Sequence, residues 1–445
     1  MVDWIDTALW SRVRGRGAFA ALVALATSTL YAEGVLKNGW IEVVLLAPVV
    51  WFWVAPRPQA LLQSLLLSLM ALCLTVSGLD LLLRPVMERR LSFTPLNISS
   101  HKLPRLPIVG RWDSNLAFDM ESYGDLAAIA GNPALREPRR VRFETDAAGF
   151  RNGPITWPVD LIVLGDSFGA GGGTTQGRIF ASLLATRYGH PTYNLSFPGG
   201  PYDEYINFAI EWPRLVVTRN ATVVWTFYVG NDLDDAGGET WKLEALPWRG
   251  RLGARLVKWR TFRNRSPLNH WMEGVRFRLQ GGASGIITRT LPDGRPMLFE
   301  TAHELWGTRS KAEIEQHPNF KKLERTMVAM RMLVEERHIN LIVFLLPTKG
   351  EVYRWVLDQR KPKPQDAQPS GFAKAVLEAC ERTSLRCLDT KPILVEQARR
   401  LYDSAGELLW WRDDTHLGER GHEEVAALIE RAVQSAKGLG QRGPE

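Results

Sequence analysis

The sequence predicts an α/β protein: a three-layer α/β/α domain with a mainly parallel five-stranded sheet, preceded by an N-terminal membrane anchor. Two observations lead to this prediction. Long uncharged runs occupy the first 85 residues, and short apolar strands alternate with amphipathic helices after about residue 159. With 445 residues, 45% of them hydrophobic, the chain does not fit the disordered or disulfide-stapled classes. A net charge of +7 is too small to indicate nucleic-acid binding.

Three apolar runs predict three transmembrane helices within residues 1–90. The strongest runs from Pro58 to Leu79, 22 residues without a charge, which as a helix measures ~33 Å against ~30 Å of hydrocarbon. The runs 17–32 and 39–55 are shorter, and the second carries only Glu42. Three such runs in tandem favour a multi-pass anchor over a buried core helix or a cleaved signal peptide.

The basic residues that flank the anchor are balanced between the two sides, so they decide its orientation only weakly. Three spans place the two flanks on opposite sides of the membrane, and both flanks carry three arginines, namely Arg12, Arg14 and Arg16 before the first span and Arg84, Arg89 and Arg90 after the third. Because the first helix usually decides orientation, we expect an inner-membrane protein with its large domain periplasmic or otherwise extracytoplasmic. A disulfide between Cys380 and Cys387 would agree with an oxidising compartment, and two free thiols are the alternative.

The soluble part divides into a linker and edge segment, residues 91–145, and a larger domain, residues 146–440, with an insertion at about 236–320. Five apolar segments of the larger domain predict strands: LIVLGDS, PTYNLSF, ATVVWTFYVGND, INLIVFLLP and LRCLDT. The amphipathic segments predict helices over 178–188, 205–212, 322–336, 372–380 and 419–435. On a parallel sheet of this kind, ligands bind beyond the carboxyl ends of the strands.

Polar residues follow these strands in four blocks. Gly165-Asp166-Ser167 ends the first strand, Gly199-Gly200 follows the second, Gly230-Asn231-Asp232 ends the third, and Asp413-Asp414-Thr415-His416 lies near the C-terminus. In this order the blocks resemble those of the SGNH/GDSL hydrolase family, from about Val159 to Ala436. Each residue by itself is typical of a helix cap, a turn or a surface position, so their joint occurrence carries the prediction.

The resemblance implies a serine hydrolase. Ser167 would be the nucleophile and His416 its base, because a serine hydroxyl needs a base to accept its proton. The D-x-x-H spacing implies Asp413 as the carboxylate that orients His416, and the adjacent Asp414 is the alternative. The implied oxyanion donors are the Ser167 amide, the Gly199 amide and the Asn231 side chain, with Gly200 as the alternative to Gly199. Asp166 is interpreted as a structural partner of its own loop. No cofactor and no metal are expected.

Two further segments bear on phosphate and lipid binding. The glycine run of residues 169–175 lacks the G-K-[ST] ending of a phosphate loop, so we interpret it as giving the chain after the nucleophile room to open the site. The segment Arg249–Arg278 carries nine basic residues and one acidic residue. It is interpreted either as a lid on anionic headgroups or an acidic glycan, or as a solvated basic helix.

The segment Pro347-Thr348-Lys349, followed by Tyr353, is similar to the P-x-K-x-x-x-Y stretch of the alginate-type O-acetyltransferase branch of the family; a plain loop is the alternative.

Three functions follow as hypotheses. The first is a membrane-anchored serine esterase acting on ester-bearing envelope glycans or lipids. The second is an O-acyltransferase that uses the same triad and a membrane acyl-donor protein. The third is a catalytically silent scaffold in a membrane complex.

Overall fold

The structure, a computed structural model, describes residues 100–103, 106–130, 132–236 and 285–440. These residues all belong to one compact unit. The three predicted membrane spans and the basic segment Arg249–Arg278 lie outside the described residues. Within the described ranges, no helix is both long enough and apolar enough to cross a bilayer.

Eleven strands and twelve α-helices are formed by the described residues. The strands are β1 Ser100–Leu103, β2 Leu106–Trp112, β3 Ala117–Ser122, β4 Arg139–Glu144, β5 Val159–Leu164, β6 Thr192–Asn194, β7 Val217–Tyr228, β8 Ile286–Thr290, β9 Pro296–Glu300, β10 Asn340–Leu346 and β11 Arg386–Asp389. The helices are α1 Asp125–Ala130, α2 Phe180–Thr186, α3 Pro201–Glu211, α4 Asp232–Asp235, α5 Thr301–Thr308, α6 Lys311–Gln316, α7 Phe320–Glu336, α8 Lys349–Val352, α9 Arg354–Leu357, α10 Gly371–Arg382, α11 Lys391–Ala405 and α12 Glu419–Gly440.

The central sheet has the strand order β11-β10-β7-β5-β6, and every neighbouring pair is parallel. All five predicted strands are therefore present in one parallel sheet. β5 lies between β6 and β7, so the loops that follow these three strands emerge side by side at the same edge. Ser167, Gly199 and Asn231 belong to these three loops.

Alternating apolar side chains bury both faces of this sheet. On β5, Ile162 and Leu164 contribute to one core cluster, whereas Leu161 and Val163 contribute to the other. This alternation follows from the two-residue period of a strand. Helices α3, α7 and α10 supply the first cluster, and α2, α11 and α12 supply the second. The result is the predicted three-layer α/β/α arrangement, with helix α11 as a layer element that the sequence interpretation did not identify.

The segment interpreted as a linker, residues 91–145, does more than connect. Its strands β3 and β4 form an antiparallel pair, and α1 packs next to the β8–β9 hairpin. The backbone N–H of Ala127 in α1 donates to the carbonyl oxygen of Asp413 at 3.1 Å. This segment therefore reaches the loop on which the predicted histidine lies.

Cys380 and Cys387 form a disulfide that joins the end of α10 to β11, with their Cα atoms 6.2 Å apart. Of the two alternatives for this pair, the structure contains the bridge. The Cys380 side chain is buried in the core cluster on the α7–α10 face of the sheet.

Candidate active site

Ser167 lies in the turn directly after β5, and its side chain is partly exposed. The turn is tight: a Cβ at Gly165 would lie 2.0 Å from Oγ1 of Thr226, so only glycine fits there. Asp166 is buried, and its Oδ1 accepts from the backbone N–H of Phe168 at 2.8 Å. Burial raises the pKa of Asp166 to about 6. Its contact is the structural one expected from the sequence, and it leaves Ser167 facing out of the turn.

A chain of two hydrogen bonds joins Ser167, His416 and Asp414. His416 Nε2 lies 2.8 Å from Ser167 Oγ, although 249 positions separate the two residues along the chain. On the other side of the ring, His416 Nδ1 lies 2.7 Å from Asp414 Oδ1. A carboxylate at Nδ1 holds the proton on that nitrogen, which leaves the Nε2 lone pair facing the serine hydroxyl.

Asp413 does not occupy the position expected for it at His416. Its Oδ2 accepts from the backbone N–H groups of Gly124 and Glu137 at 2.8 and 2.7 Å, and its Oδ1 accepts from Arg139 at 2.9 Å. The side chains of Asp413 and Asp414 leave the loop in different directions. Asp413 therefore anchors the loop to residues 91–145, called the N-terminal segment below, while Asp414 faces the imidazole.

Arg139 of β4 fixes both of these carboxylates. Its guanidinium donates to Asp413 Oδ1 at 2.9 Å and to Asp414 Oδ2 at 2.5 Å, and only 7% of its side chain is exposed. Burial alone would raise the pKa of Asp414, but the hydrogen bond from His416 and the charges of His416 and Arg139 hold it below the usual value. Asp414 is therefore an anion at neutral pH.

The pKa of His416 is raised to about 9. Burial by itself would lower it, and the hydrogen bond to Asp414 together with the negative charges of Asp414, Asp125 and Asp166 outweighs burial. A base accepts a proton only in its neutral form. The arrangement therefore favours proton acceptance from Ser167 increasingly as the pH rises toward 9.

The three expected oxyanion donors lie at the ends of neighbouring strands. The Ser167 amide belongs to the β5 turn, Gly199 lies just before α3, and Asn231 follows β7 as the N-cap of α4. The Asn231 Nδ2 donates to Asp235 Oδ2 at 2.8 Å, which orients this amide and uses one of its two N–H groups. A Cβ at Gly200 would lie 2.6 Å from the Cβ of Asp235, so this glycine permits close packing of the two loops.

The glycine run packs against the histidine. A Cβ added at Gly172 would lie 2.7–2.9 Å from three atoms of the His416 ring. Gly173 has a φ of +70°, and a Cβ there would lie 2.7 Å from Asp414 Oδ2. The run was expected to open the site. Instead its missing side chains let the backbone close over His416 and Asp414.

Arg151 holds the glycine run in this position. Its buried guanidinium donates to the backbone carbonyls of Ala170, Gly171 and Thr174 at 2.9, 2.6 and 2.6 Å. Burial lowers the pKa of Arg151 to about 9. These carbonyls therefore receive a charge-assisted donor in place of water, and the loop beside His416 is fixed on both sides.

On the serine-hydrolase interpretation of the sequence, replacing Gly172 with alanine is expected to lower kcat for ester turnover about 100-fold, because the new methyl group displaces the His416 ring from Ser167. Turnover of a model ester at equal folded protein measures the effect. Gly177→Ala is the matched control, since a Cβ at Gly177 meets no heavy atom within 4 Å. Wild-type kcat in Gly172→Ala would contradict the close packing described above.

Lys349 and Tyr353 of the P-x-K-x-x-x-Y stretch bind the backbone of residues 409–414, which belong to the loop that carries His416, called the histidine loop below. Lys349 Nζ is buried and donates to the carbonyl oxygens of Trp411, Arg412 and Asp414 at 2.7, 2.9 and 3.0 Å. The buried Tyr353 hydroxyl accepts from the backbone N–H of Leu409 at 2.7 Å. Burial lowers the pKa of Lys349 to about 8. In the structure the stretch therefore supports the triad loop.

An aromatic and acidic wall lies beside the nucleophile. The Phe168 ring stacks on Tyr228 with centroids 4.0 Å apart and lies 5.0 Å from the His416 ring. The Tyr228 hydroxyl is 3.4 Å from His303 Nδ1, which is 3.3 Å from Glu300. Burial and the positive charge of His416 lower the pKa of His303 to about 4, so this second imidazole is neutral at pH 7.

Several residues of the site were missed by sequence reasoning: Asp125, Arg139, Arg151, Glu300, His303 and the supporting role of Lys349. They all lie outside the four family-like blocks. Asp125 and Arg139 belong to the segment interpreted as a linker, and Glu300 and His303 belong to the insertion. Lys349 lies in the stretch whose alternative was a plain loop, and Arg151 lies between the linker and the first predicted strand. One signal was present in the sequence. Two adjacent aspartates before a histidine require a cation or donor for the one that does not face the ring, and the arginine-rich segment 136–142 supplies it.

Among the described residues, one group of side chains has the composition and proximity of a metal site: Asp125, Asp414 and His416, whose nearest ligand atoms lie within 4.8 Å of one another. Both ring nitrogens of His416 already face hydrogen-bond partners, Nδ1 toward Asp414 and Nε2 toward Ser167. The hydrogen bonds to Ser167 and Asp414 therefore account for the position of the His416 ring, and the expectation of no metal and no cofactor stays a prediction.

No family model matches the chain, and no curated protein matches it significantly.

Proposed function

We propose that the protein is a membrane-anchored serine esterase of SGNH/GDSL type that cleaves O-acyl groups from envelope glycans or lipids through an acyl-enzyme. The observation that carries the proposal is the continuous contact from Ser167 Oγ through the His416 ring to Asp414, at 2.8 and 2.7 Å. These distances lie in the range that proton transfer from a nucleophile to a base requires. A complete hydrogen-bond chain of this kind favours an enzyme over a silent scaffold.

The proposed reaction has two balanced halves. Ser167 Oγ attacks the ester carbonyl carbon as His416 Nε2 takes the hydroxyl proton, and the resulting tetrahedral oxyanion collapses and expels the alcohol, which receives that proton. Water then attacks the acyl-serine ester, gives a proton to His416, and the acid leaves as the proton returns to Ser167. Asp414 stays ionised throughout and stabilises the imidazolium that forms twice in each turnover.

The oxyanion of each tetrahedral intermediate needs preorganised donors. We assign this role to the backbone N–H groups of Ser167 and Gly199 and to the side-chain amide of Asn231. The hydrogen bond from Asn231 to Asp235 supports the assignment, because it fixes the amide before substrate binds. Loss of one donor of this kind typically costs about 3 kcal/mol in the barrier.

The compartment is proposed from two features. The disulfide between Cys380 and Cys387 is typical of oxidising compartments such as the periplasm. The predicted anchor has three spans, so an N-terminus inside the cell would also put the large domain outside the inner membrane. Together they favour a catalytic domain outside the inner membrane, where ester-bearing glycans and lipids are the available substrates.

A fluorophosphonate probe tests the nucleophile without knowledge of the substrate. We expect the probe to label the folded wild-type chain at Ser167 and to leave Ser167→Ala unlabelled, because the probe reacts with an activated serine hydroxyl. Ser404→Ala, at an exposed serine near the end of α11, is the matched control and should label like the wild type. Absence of labelling in protein whose thermal unfolding shows that it is folded would remove the proposal.

Acyl transfer to a glycan or lipid hydroxyl is the second candidate, favoured by the match of Pro347, Lys349 and Tyr353 to the acetyltransferase stretch. The acceptor hydroxyl then replaces water in the second half of the reaction. Acyl release from a model ester is expected to accelerate when a glycan acceptor is added if transfer is the activity. Equal rates with and without the acceptor would count against it.

A further inference from the structure

A second carboxylate lies beside His416. Asp125 Oδ2 is 3.8 Å from His416 Nδ1, the nitrogen that also contacts Asp414 at 2.7 Å. The nearest carboxyl oxygens of Asp125 and Asp414 lie within 4.8 Å of each other and of the imidazole nitrogen. The catalytic triad proposed above uses one carboxylate, so Asp125 is an additional charged group at the base.

The position of Asp125 is fixed from both sides. Its Oδ1 accepts from the backbone N–H of Leu126 at 2.7 Å, at the start of α1, and from that of Thr415 at 2.8 Å. The preceding residue, Gly124, approaches Asp413 so closely that an added Cβ would lie 1.9 Å from its carbonyl oxygen. Asp125 therefore links the N-terminal segment directly to the backbone of the histidine loop.

Of the two carboxyl groups beside His416, Asp125 and Asp414, Asp125 is the one whose charge changes near neutral pH. Arg139 contacts Asp414 and keeps it ionised, whereas burial and the charge of Asp414 raise the pKa of Asp125 to about 7. The other titratable groups that interact with His416 come from several elements and are Asp166, Glu300, His303 and His422. Unlike these four groups, Asp125 has a carboxyl oxygen within 4 Å of His416 Nδ1, on the same side of the ring as Asp414.

We propose that Asp125 is a positioning residue for His416: its carboxyl group holds the loop that carries the histidine and places a second negative charge beside the imidazolium that forms during acyl transfer. The inference rests on the proposed function, because it takes His416 as the base. It adds a residue from the N-terminal segment, outside the stretch that resembles the hydrolase family.

The charge of Asp125 has a definite effect on the base. A negative charge about 4 Å from an imidazole favours its protonated form, and such a charge shifts a pKa by one unit or more at a partly exposed site. The Asp125 side chain is 28% exposed, so we take the lower end of this range. Removal of the charge should therefore let His416 become neutral, and accept the Ser167 proton, at lower pH.

Asp125→Asn tests the inference because it removes the charge and keeps the oxygen that accepts from Leu126 and Thr415. In the full chain with ¹³C-labelled histidine, the NMR titration midpoint of His416 should fall by about one pH unit relative to wild type. Loss of one resonance in His416→Gln assigns the signal. The pH midpoint of fluorophosphonate labelling at Ser167 should move in the same direction by a similar amount.

Two further variants control for structure. Asp119→Asn makes the same change at an exposed carboxylate of the same segment, paired with Arg140, and should leave both midpoints unchanged. Asp125→Ala also removes the acceptor of the Thr415 N–H and should lower the labelling rate at high pH about tenfold below that of Asp125→Asn. Unchanged midpoints in Asp125→Asn, with normal labelling of wild type, would overturn this inference alone. Failure of wild type to label at any pH would instead overturn the proposed function and this role with it.

Discussion

Asp414→Asn is expected to lower kcat for ester turnover about 10⁴-fold, with little change in KM. An asparagine at this position offers a neutral amide to His416 Nδ1, which no longer holds the proton on that nitrogen and no longer stabilises the imidazolium. The effect should be large because the contact is short, 2.7 Å, and Asp414 is completely buried. Steady-state kinetics on a model ester, normalised to folded protein, gives the measurement.

The adjacent aspartate supplies the matched comparison. Asp413→Asn should lower the free energy of unfolding by about 3 kcal/mol, because it breaks a buried ion pair with Arg139. The kcat of the protein that remains folded should fall by less than tenfold, since Asp413 does not contact His416. Equal losses of kcat in the two variants would show that the partner of the histidine has been assigned incorrectly.

Lys349→Met is expected to have the largest effect on stability. The substitution keeps much of the side-chain volume but removes the donors to three loop carbonyls, those of Trp411, Arg412 and Asp414. Each buried acceptor left without a partner costs about 1–3 kcal/mol, so we expect a loss of roughly 3 kcal/mol or more in the free energy of unfolding. Chemical denaturation of the purified chain measures this loss, and kcat should fall with it as the His416 loop loosens.

Two variants bracket this result. Lys361→Met changes an exposed lysine and should leave the free energy of unfolding within about 0.5 kcal/mol of wild type. Tyr353→Phe removes the hydroxyl that accepts from the Leu409 backbone N–H of the same loop, and should have an intermediate effect of about 1–2 kcal/mol. A Lys349→Met protein as stable and as active as wild type would show that the three carbonyl contacts do not support the loop.

The sheet illustrates how much local pattern determines. The central strands β5, β7 and β10 are mostly apolar, and adjacent residues face opposite helical layers, as Leu161 and Ile162 do on β5. Because consecutive strands alternate with helices, the parallel arrangement and the functional edge of the sheet followed from the sequence. Ser167 and Asn231, which follow two of these strands, could therefore be predicted at one edge, whereas His416 was assigned to the same site by the resemblance of its block to the hydrolase family.

The choice between Asp413 and Asp414 could not be made in the same way. The two aspartates lie at nearly the same spacing from His416. The outcome depends on Arg139 and on the backbone N–H groups of Gly124 and Glu137, which lie 274–289 positions away from Asp413. These contacts are made by a segment that is rich in proline and arginine and was interpreted from the sequence as a linker and edge segment. A pattern-based reading has no means of bringing such a segment to a distant loop.

The sequence by itself determined the fold class, because strand periodicity is a local property of the chain. The order of the polar blocks predicted Ser167 as the nucleophile and His416 as its base. The tertiary structure alone decided which aspartate faces His416, why the glycines at 172 and 173 are needed, and that Asp125 and Lys349 contact the backbone of the loop that carries His416. These four features depend on distances between segments far apart in the chain. Such distances are set by the packing of the whole domain, which no short stretch of residues encodes.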